Sequence, residues 1–163
     1  MRKRVTMPER QECAFPDANW LNVEDLAEVE ITSEAVGHPI EGALLNEGVL
    51  LNGPRGGWRA AVPGKQTLRL YFDRPQQFRR IWLDFLEPHA ERTQQYMLRW
   101  SPDGGRTFQD ILRQQWNFSP LGAPRETEDH QLDLVGVTVL ELDIIPDVRG
   151  GNAVAALVAL RLA

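Results

Sequence analysis

The chain has 163 residues, 25% of them charged and 42% hydrophobic, with 18 Lys+Arg against 23 Asp+Glu for a formal net charge of −5. A chain of this length buries a single apolar core without disulfides or metals, so one soluble globular domain is expected rather than a disordered segment. A sequence pI near 5.2 leaves no broadly basic face to release counterions from a phosphate backbone, and no nucleic acid partner is expected.

The start, Met1-Arg2-Lys3-Arg4, is basic but runs into Pro8, Glu9, Arg10, Gln11 and Glu12 instead of an apolar stretch, so it does not read as an export signal. Residues 1 to 17, with Pro8 and Pro16, read as an arm laid over the domain, and residues 18 to 163 as the domain itself. The lone cysteine, Cys13, has no second thiol to build a disulfide or a thiolate zinc site, which fits a reducing cytoplasm. Asn22-Val23-Glu24-Asp25-Leu26-Ala27 predicts a turn or two of helix, with Asn22 as its cap.

From Leu68 onward the pattern is period-two alternation, which places side chains on opposite faces of strands. Leu68, Leu70 and Phe72 form one such face. Ile81, Leu83 and Phe85, between Pro75 and Pro88, form a second. Tyr96, Leu98 and Trp100 follow, and Ser101-Pro102-Asp103-Gly104-Gly105 supplies a reversal into Phe108 to Ile111. Leu112, Trp116 and Phe118 then alternate with Arg113, Gln115 and Asn117. Glu126-Thr127-Glu128-Asp129 reads as a solvated acidic loop, with a cation site as the alternative. Gln131 to Leu134, Thr138 to Ile145 and Val154 to Leu162 complete the strands, and Ala153 to Leu160 is too short a weakly polar run to cross a bilayer, so no membrane partner is expected. About eight short strands with Pro and Gly between them predict an all-β fold, an antiparallel β-sandwich or jelly roll, with less than about 15% helix.

The segment from Arg113 to Pro120 is the sharpest functional hint. A sugar site needs a flat aromatic surface flanked by planar donors, and Trp116, Arg113, Gln115 and Asn117 are those chemical types. The alternative is that Trp116 and Phe118 are core residues and the polar side is a solvated sheet face. His38, His89 and His130 show no zinc-protease spacing, and neither a phosphate loop nor a nucleophile elbow occurs. No enzyme is expected.

The order of these features resembles the discoidin or coagulation-factor C-type (F5/8 type C) domains and the carbohydrate-binding modules built on the same galactose-binding-like jelly roll. The residues that carry the resemblance are Thr32-Ser33-Glu34, Ile40-Glu41-Gly42-Ala43-Leu44, Gly57-Trp58-Arg59-Ala60, the run from Gln66 to Phe72, the hairpin from Tyr96 to Phe108 and the closing run from Ala156 to Leu162. The resemblance implies that His38, Glu41, Trp58 and Arg59 come together in loops at one end of the barrel, where binding residues commonly sit. The alternative is that His38 is a surface loop residue, Trp58 after Gly56-Gly57 a core plug whose indole N–H finds a carbonyl, and Arg59 a structural partner of Glu41. The resemblance also implies a structural calcium in sugar-binding members, but Ala159 stands where the carboxylate ligand would be. Glu41, Asn46, Glu47 and Asn52 could still offer oxygens nearby, yet no metal and no other cofactor is expected. The reading is a non-enzymatic module for a carbohydrate or similar polar small ligand, with His38, Trp58, Arg59, Arg113, Gln115, Trp116 and Asn117 as its binding residues. An intracellular protein-interaction scaffold is the alternative.

Overall fold

The computed structural model describes residues 19–45 and 57–163. The expected arm, Cys13, Asn46, Glu47 and Asn52 lie outside the described residues. A 3-10 turn at Val23–Asp25 opens the described chain, and the strand β1 (Ala27–Ile31) follows it at once. The helix expected over 22 to 27 stops after that one turn. Asn22 stands at its N-terminal boundary without capping the backbone, its amide donating instead to Asp25 Oδ2 at 2.5 Å. Val29 and Ile31 then alternate with exposed Glu28 and Glu30, which is the period of a strand.

One turn of helix, α1 (Glu41–Leu44), and a two-residue strand, β2 (Trp58–Arg59), lead into β3 (Gln66–Leu86), which joins two of the expected strands into one of 21 residues. Pro75 does not break it because the pairing with β6 is irregular between Tyr71 and Arg80, where the missing N–H is not asked for. The hairpin of β4 (Arg92–Ser101) and β5 (Gln109–Phe118) comes next, then β6 (Arg125–Ile145), β7 (Ala156–Leu157) and β8 (Ala159–Leu162). β6 begins at Arg125, so the run from Glu126 to Asp129 is strand and not the expected acidic loop.

All pairings are antiparallel, with the order β1-β3-β6-β4-β5, β8 added to β3, and a separate pair of β2 with β7. The two long strands bend at their irregular stretch and serve both layers of a jelly-roll sandwich, as the alternation predicted. Their first-layer parts pair with β1 and β4. The other half of β3 pairs with β8. Phe85 of one layer stacks on Tyr96 of the other with ring centroids 5.4 Å apart, and Leu70, Leu83, Leu98, Leu142 and Leu160 fill the space between.

The reversal after β4 is held by Asp103. Its carboxylate accepts Thr107 N–H at 2.9 Å, the Thr107 hydroxyl at 2.6 Å and the Ser101 hydroxyl at 2.7 Å. The Thr107 bonds first, then the Ser101 bond, hold the carboxyl down at about 2. The loop brings Phe108 beneath two guanidiniums, Arg99 at 4.8 Å and Arg69 at 5.8 Å, which both bond the buried Glu141.

Candidate functional site

The loops from 32 to 40, 60 to 65, 87 to 91, 119 to 124 and 146 to 155 are linked into one end of the sandwich. The bonds that link them are Ala61 N–H to Ser33 Oγ, Gly64 N–H to Ala153 O, Val148 N–H to Thr93 O, Arg149 to Glu91 O and Glu87 N–H to Pro124 O. At this end the turn Ala35 to His38, which needs Gly37 at φ 81°, is tied to β2: Ala35 N–H donates to Arg59 O at 2.8 Å and Arg59 N–H to His38 O at 3.3 Å. His38 is half-buried and Arg59 exposed, so an imidazole and a guanidinium reach solvent from adjacent, backbone-fixed positions. Among the described residues Arg59 makes no ion pair. Glu41 is exposed on α1, and the Glu34 carboxylate accepts Ile40 N–H at 2.8 Å, fixing the far side of the same loop.

Trp58 does not join them as a ligand contact. It is 2% exposed, and its indole N–H donates to Ser33 O at 3.0 Å, so neither ring face is open to a sugar. Trp58 is a core plug beneath the loop. The plug fits tightly because Gly57, at φ 125°, lets the chain pass so close to β7 that a Cβ there would stand 2.7 Å from Leu157 O.

The β5 cluster is divided by its own alternation. Arg113, Gln115 and Asn117 are exposed on the outer face, beside Met97, Gln95 and Thr93 of β4. The Gln115 amide donates to Gln95 Oε1 at 3.0 Å and the Thr93 hydroxyl to Asn117 Oδ1 at 2.7 Å. Trp116 points the other way, half-buried against the core. The outer face therefore offers planar polar groups without the stacking platform expected from Trp116. Arg113→Ala and Asn117→Ala should change stability by no more than about 0.5 kcal/mol, checked by thermal melting, because each removes an exposed group from the sheet surface. Beside it, a cavity of about 130 Å³ is lined by Lys65, Gln95, Met97, Arg113, Asp143 and Ile145.

Among the described residues, those present do not fit the calcium site that the resemblance implies. Ala159 is buried and has no side-chain oxygen to give, and two residues on, Arg161 sends a buried guanidinium to Ala43 O at 2.6 Å, so a cation of the chain already holds α1 to β8. Among the described residues no group of three or more His, Cys, Asp and Glu side chains is placed to hold a metal ion, and no helix is long and apolar enough to cross a membrane.

No protein-family model and no curated protein matches the sequence. Solved structures do match by shape. A family 32 carbohydrate-binding module from C. perfringens NanJ, solved in complex with galactose, matches over 88% of this chain and 96% of its own, with a TM-score of 0.63 at 12% identity. The module CpGH89CBM32-5 from Clostridium perfringens, solved with GalNAc-β-1,3-galactose, covers 88% and 99% with a TM-score of 0.58 at 18% identity. The family 32 module of AlyQ, solved with 4,5-unsaturated mannuronic acid, covers 85% and 95% with a TM-score of 0.58 at 10% identity. The fold is thus the galactose-binding-like jelly roll of these modules. At such identities the likeness reaches the fold and not the ligand.

Proposed function

We propose that this protein is a carbohydrate-binding module that holds a hydroxyl-rich sugar at the loop end through Arg59 and His38, without turning it over. The observation that supports the reading is that backbone bonds between β2 and the turn from 35 to 38 hold the exposed Arg59 next to the half-buried His38. A guanidinium offers a planar fork that spans two adjacent hydroxyls, and a neutral imidazole offers one donor and one acceptor. No Trp, Tyr or Phe occurs in the loops from 32 to 40, 60 to 65, 87 to 91, 119 to 124 or 146 to 155, so His38 and His89 are the only aromatic rings those loops contain. Recognition here rests on hydrogen bonds rather than on broad stacking, which favours small polar sugars or single chain ends.

A glycan array carrying galactose, N-acetylgalactosamine and uronic acid termini, followed by calorimetry on its best ligand, tests the reading. Arg59→Ala and His38→Ala should each weaken binding by about 1–3 kcal/mol, the penalty for leaving a desolvated hydroxyl without its partner, while the melting temperature holds. Arg113→Ala should bind as the parent does. An array without a ligand, or a ligand held equally by both loop variants, would overturn it. The second reading, a protein-interaction scaffold, is favoured by the fully exposed tips Val36 and Leu121. Isolated apolar tips are ordinary on any surface, and the sugar reading stands first.

A further inference from the structure

The first part of β6 turns Glu126, Glu128 and His130 inward, opposite Phe85, Leu83 and Ile81 of β3. Glu126 is 1% exposed. Its Oε2 accepts the Gln94 amide at 3.3 Å, but its Oε1 is buried without a hydrogen-bond donor. Glu128, two residues on along the same inward face of β6, brings a second carboxyl beside that of Glu126. A carboxylate oxygen in that position lacks a donor, whereas a protonated oxygen has a ready acceptor in Glu128.

Above this pair lies β5, an edge strand that pairs only with β4 among the described residues. Its inner face rests on the acids. The Gln114 amide reaches Glu128 Oε1 at 3.4 Å, and Trp116, opposite Gln94 across the hairpin, packs on the core with a buried indole N–H that has no acceptor. We propose that Glu126 is carried as a neutral acid donating from Oε1 to the Glu128 carboxylate, and that this shared proton latches the edge strand β5 onto the second layer. When Glu126 gives its proton to solvent, two carboxylates face each other in the interior and β5 loosens.

The surroundings favour this assignment. Burial first, and the charge of Glu128 second, push the Glu126 carboxyl up to about 7. The opposing groups are the Gln94 amide and the Arg92 guanidinium, and Arg92 is committed to Glu87 at 2.8 Å and to Pro146 O at 2.6 Å. From β4 the Tyr96 hydroxyl bonds His130 Nε2 at 2.7 Å. Burial lowers the His130 imidazole and raises the Tyr96 phenol, which favours the neutral form of each.

The sign follows from these shifts. A carboxyl raised in the folded state stabilises fully below its ordinary value, and that contribution is lost as pH rises through the folded value of about 7. His130, lowered by burial, acts in the opposite sense on the acid side. The Glu126 contribution is therefore read as a comparison between the parent and Glu126→Gln, whose amide nitrogen donates to Glu128 at every pH. Hydrogen exchange of residues 109–118 in the full chain, corrected for intrinsic rates, is the measurement. The protection ratio of parent to variant should fall about tenfold per pH unit between about pH 5 and about pH 7, then level off. A ratio that is flat across that range would overturn the latch. Infrared difference spectra of the parent, labelled with carbon-13 glutamate, provide an arm that does not need the variant to fold. A protonated-carboxyl band should be present at about pH 6 and gone by about pH 8. Its absence at the lower pH would overturn the shared proton itself.

Discussion

Asp84→Ala should lower stability by about 3–5 kcal/mol in urea denaturation at neutral pH, because it strips the carboxylate from a buried charge cluster and leaves the cations behind. Asp84 is 0% exposed on the outer face of the second layer. Arg125 grips both of its oxygens, through Nε at 2.7 Å and through Nη2, and the Thr127 hydroxyl adds a bond at 3.3 Å. Arg125 is 39% exposed, so water screens its share and the cost falls mainly on Arg161. That guanidinium is 5% exposed, and burial pulls it down to about 10 while the nearby Asp84 charge opposes the fall. Removing the opposing charge deepens the penalty on a cation that holds α1 to β8 through Ala43 O. Asp84→Asn keeps the shape and the oxygen acceptor but not the charge, and should fall between parent and alanine. A loss below about 1 kcal/mol for the alanine variant would mean that the carbonyls of Ala43 and Leu160 satisfy Arg161 without help from the carboxylate.

The strands were legible where one face is apolar. Leu68, Leu70 and Phe72, then Tyr96 and Leu98, then Leu140, Leu142 and Ile144 are all buried, as period two requires. What escaped the sequence has a common cause, which is polar or charged side chains on the inner face. Glu126 and Glu128 alternate with Thr127 and Asp129 in the strand period, yet carboxylates read as solvated because charged groups are rarely buried unless paired. The pairing partner, Gln94, comes from a strand more than thirty residues away and has no local signal. β1 was missed for a gentler reason, since Val29 and Ile31 are only half-buried at an edge and the segment is five residues long. In the candidate site, the separation of Trp116 from Arg113, Gln115 and Asn117 was already implied by their alternation. The burial of Trp58 matches the core-plug alternative that the sequence also offered, and only its cause, Gly57 approaching β7 from a distant part of the chain, had no local signal.

Trp58 therefore carries the last expectation, in which core packing and the binding end are joined. Trp58→Ala should cost about 3–5 kcal/mol, the penalty for emptying a large aromatic site that the surrounding sandwich cannot fill. The informative variant is Trp58→Phe. It keeps most of the ring volume but removes the indole N–H, leaving Ser33 O without the donor it now has at 3.0 Å. Ser33 is the hinge of the loop, since its hydroxyl donates to Gln66 Oε1 at 2.7 Å and accepts Ala61 N–H at 3.1 Å. Losing its carbonyl partner should cost about 1–3 kcal/mol and loosen the turn that carries His38, while β3 and β6 stay paired. On the proposed reading, sugar affinity should then fall by as much as it does in Arg59→Ala, although neither Arg59 nor His38 has been altered. Calorimetry on Trp58→Phe, run beside its urea midpoint, reads both effects. Parental affinity in a measurably less stable variant would show that the turn is held by its backbone bonds to Arg59 alone, and that the indole serves only to fill the core.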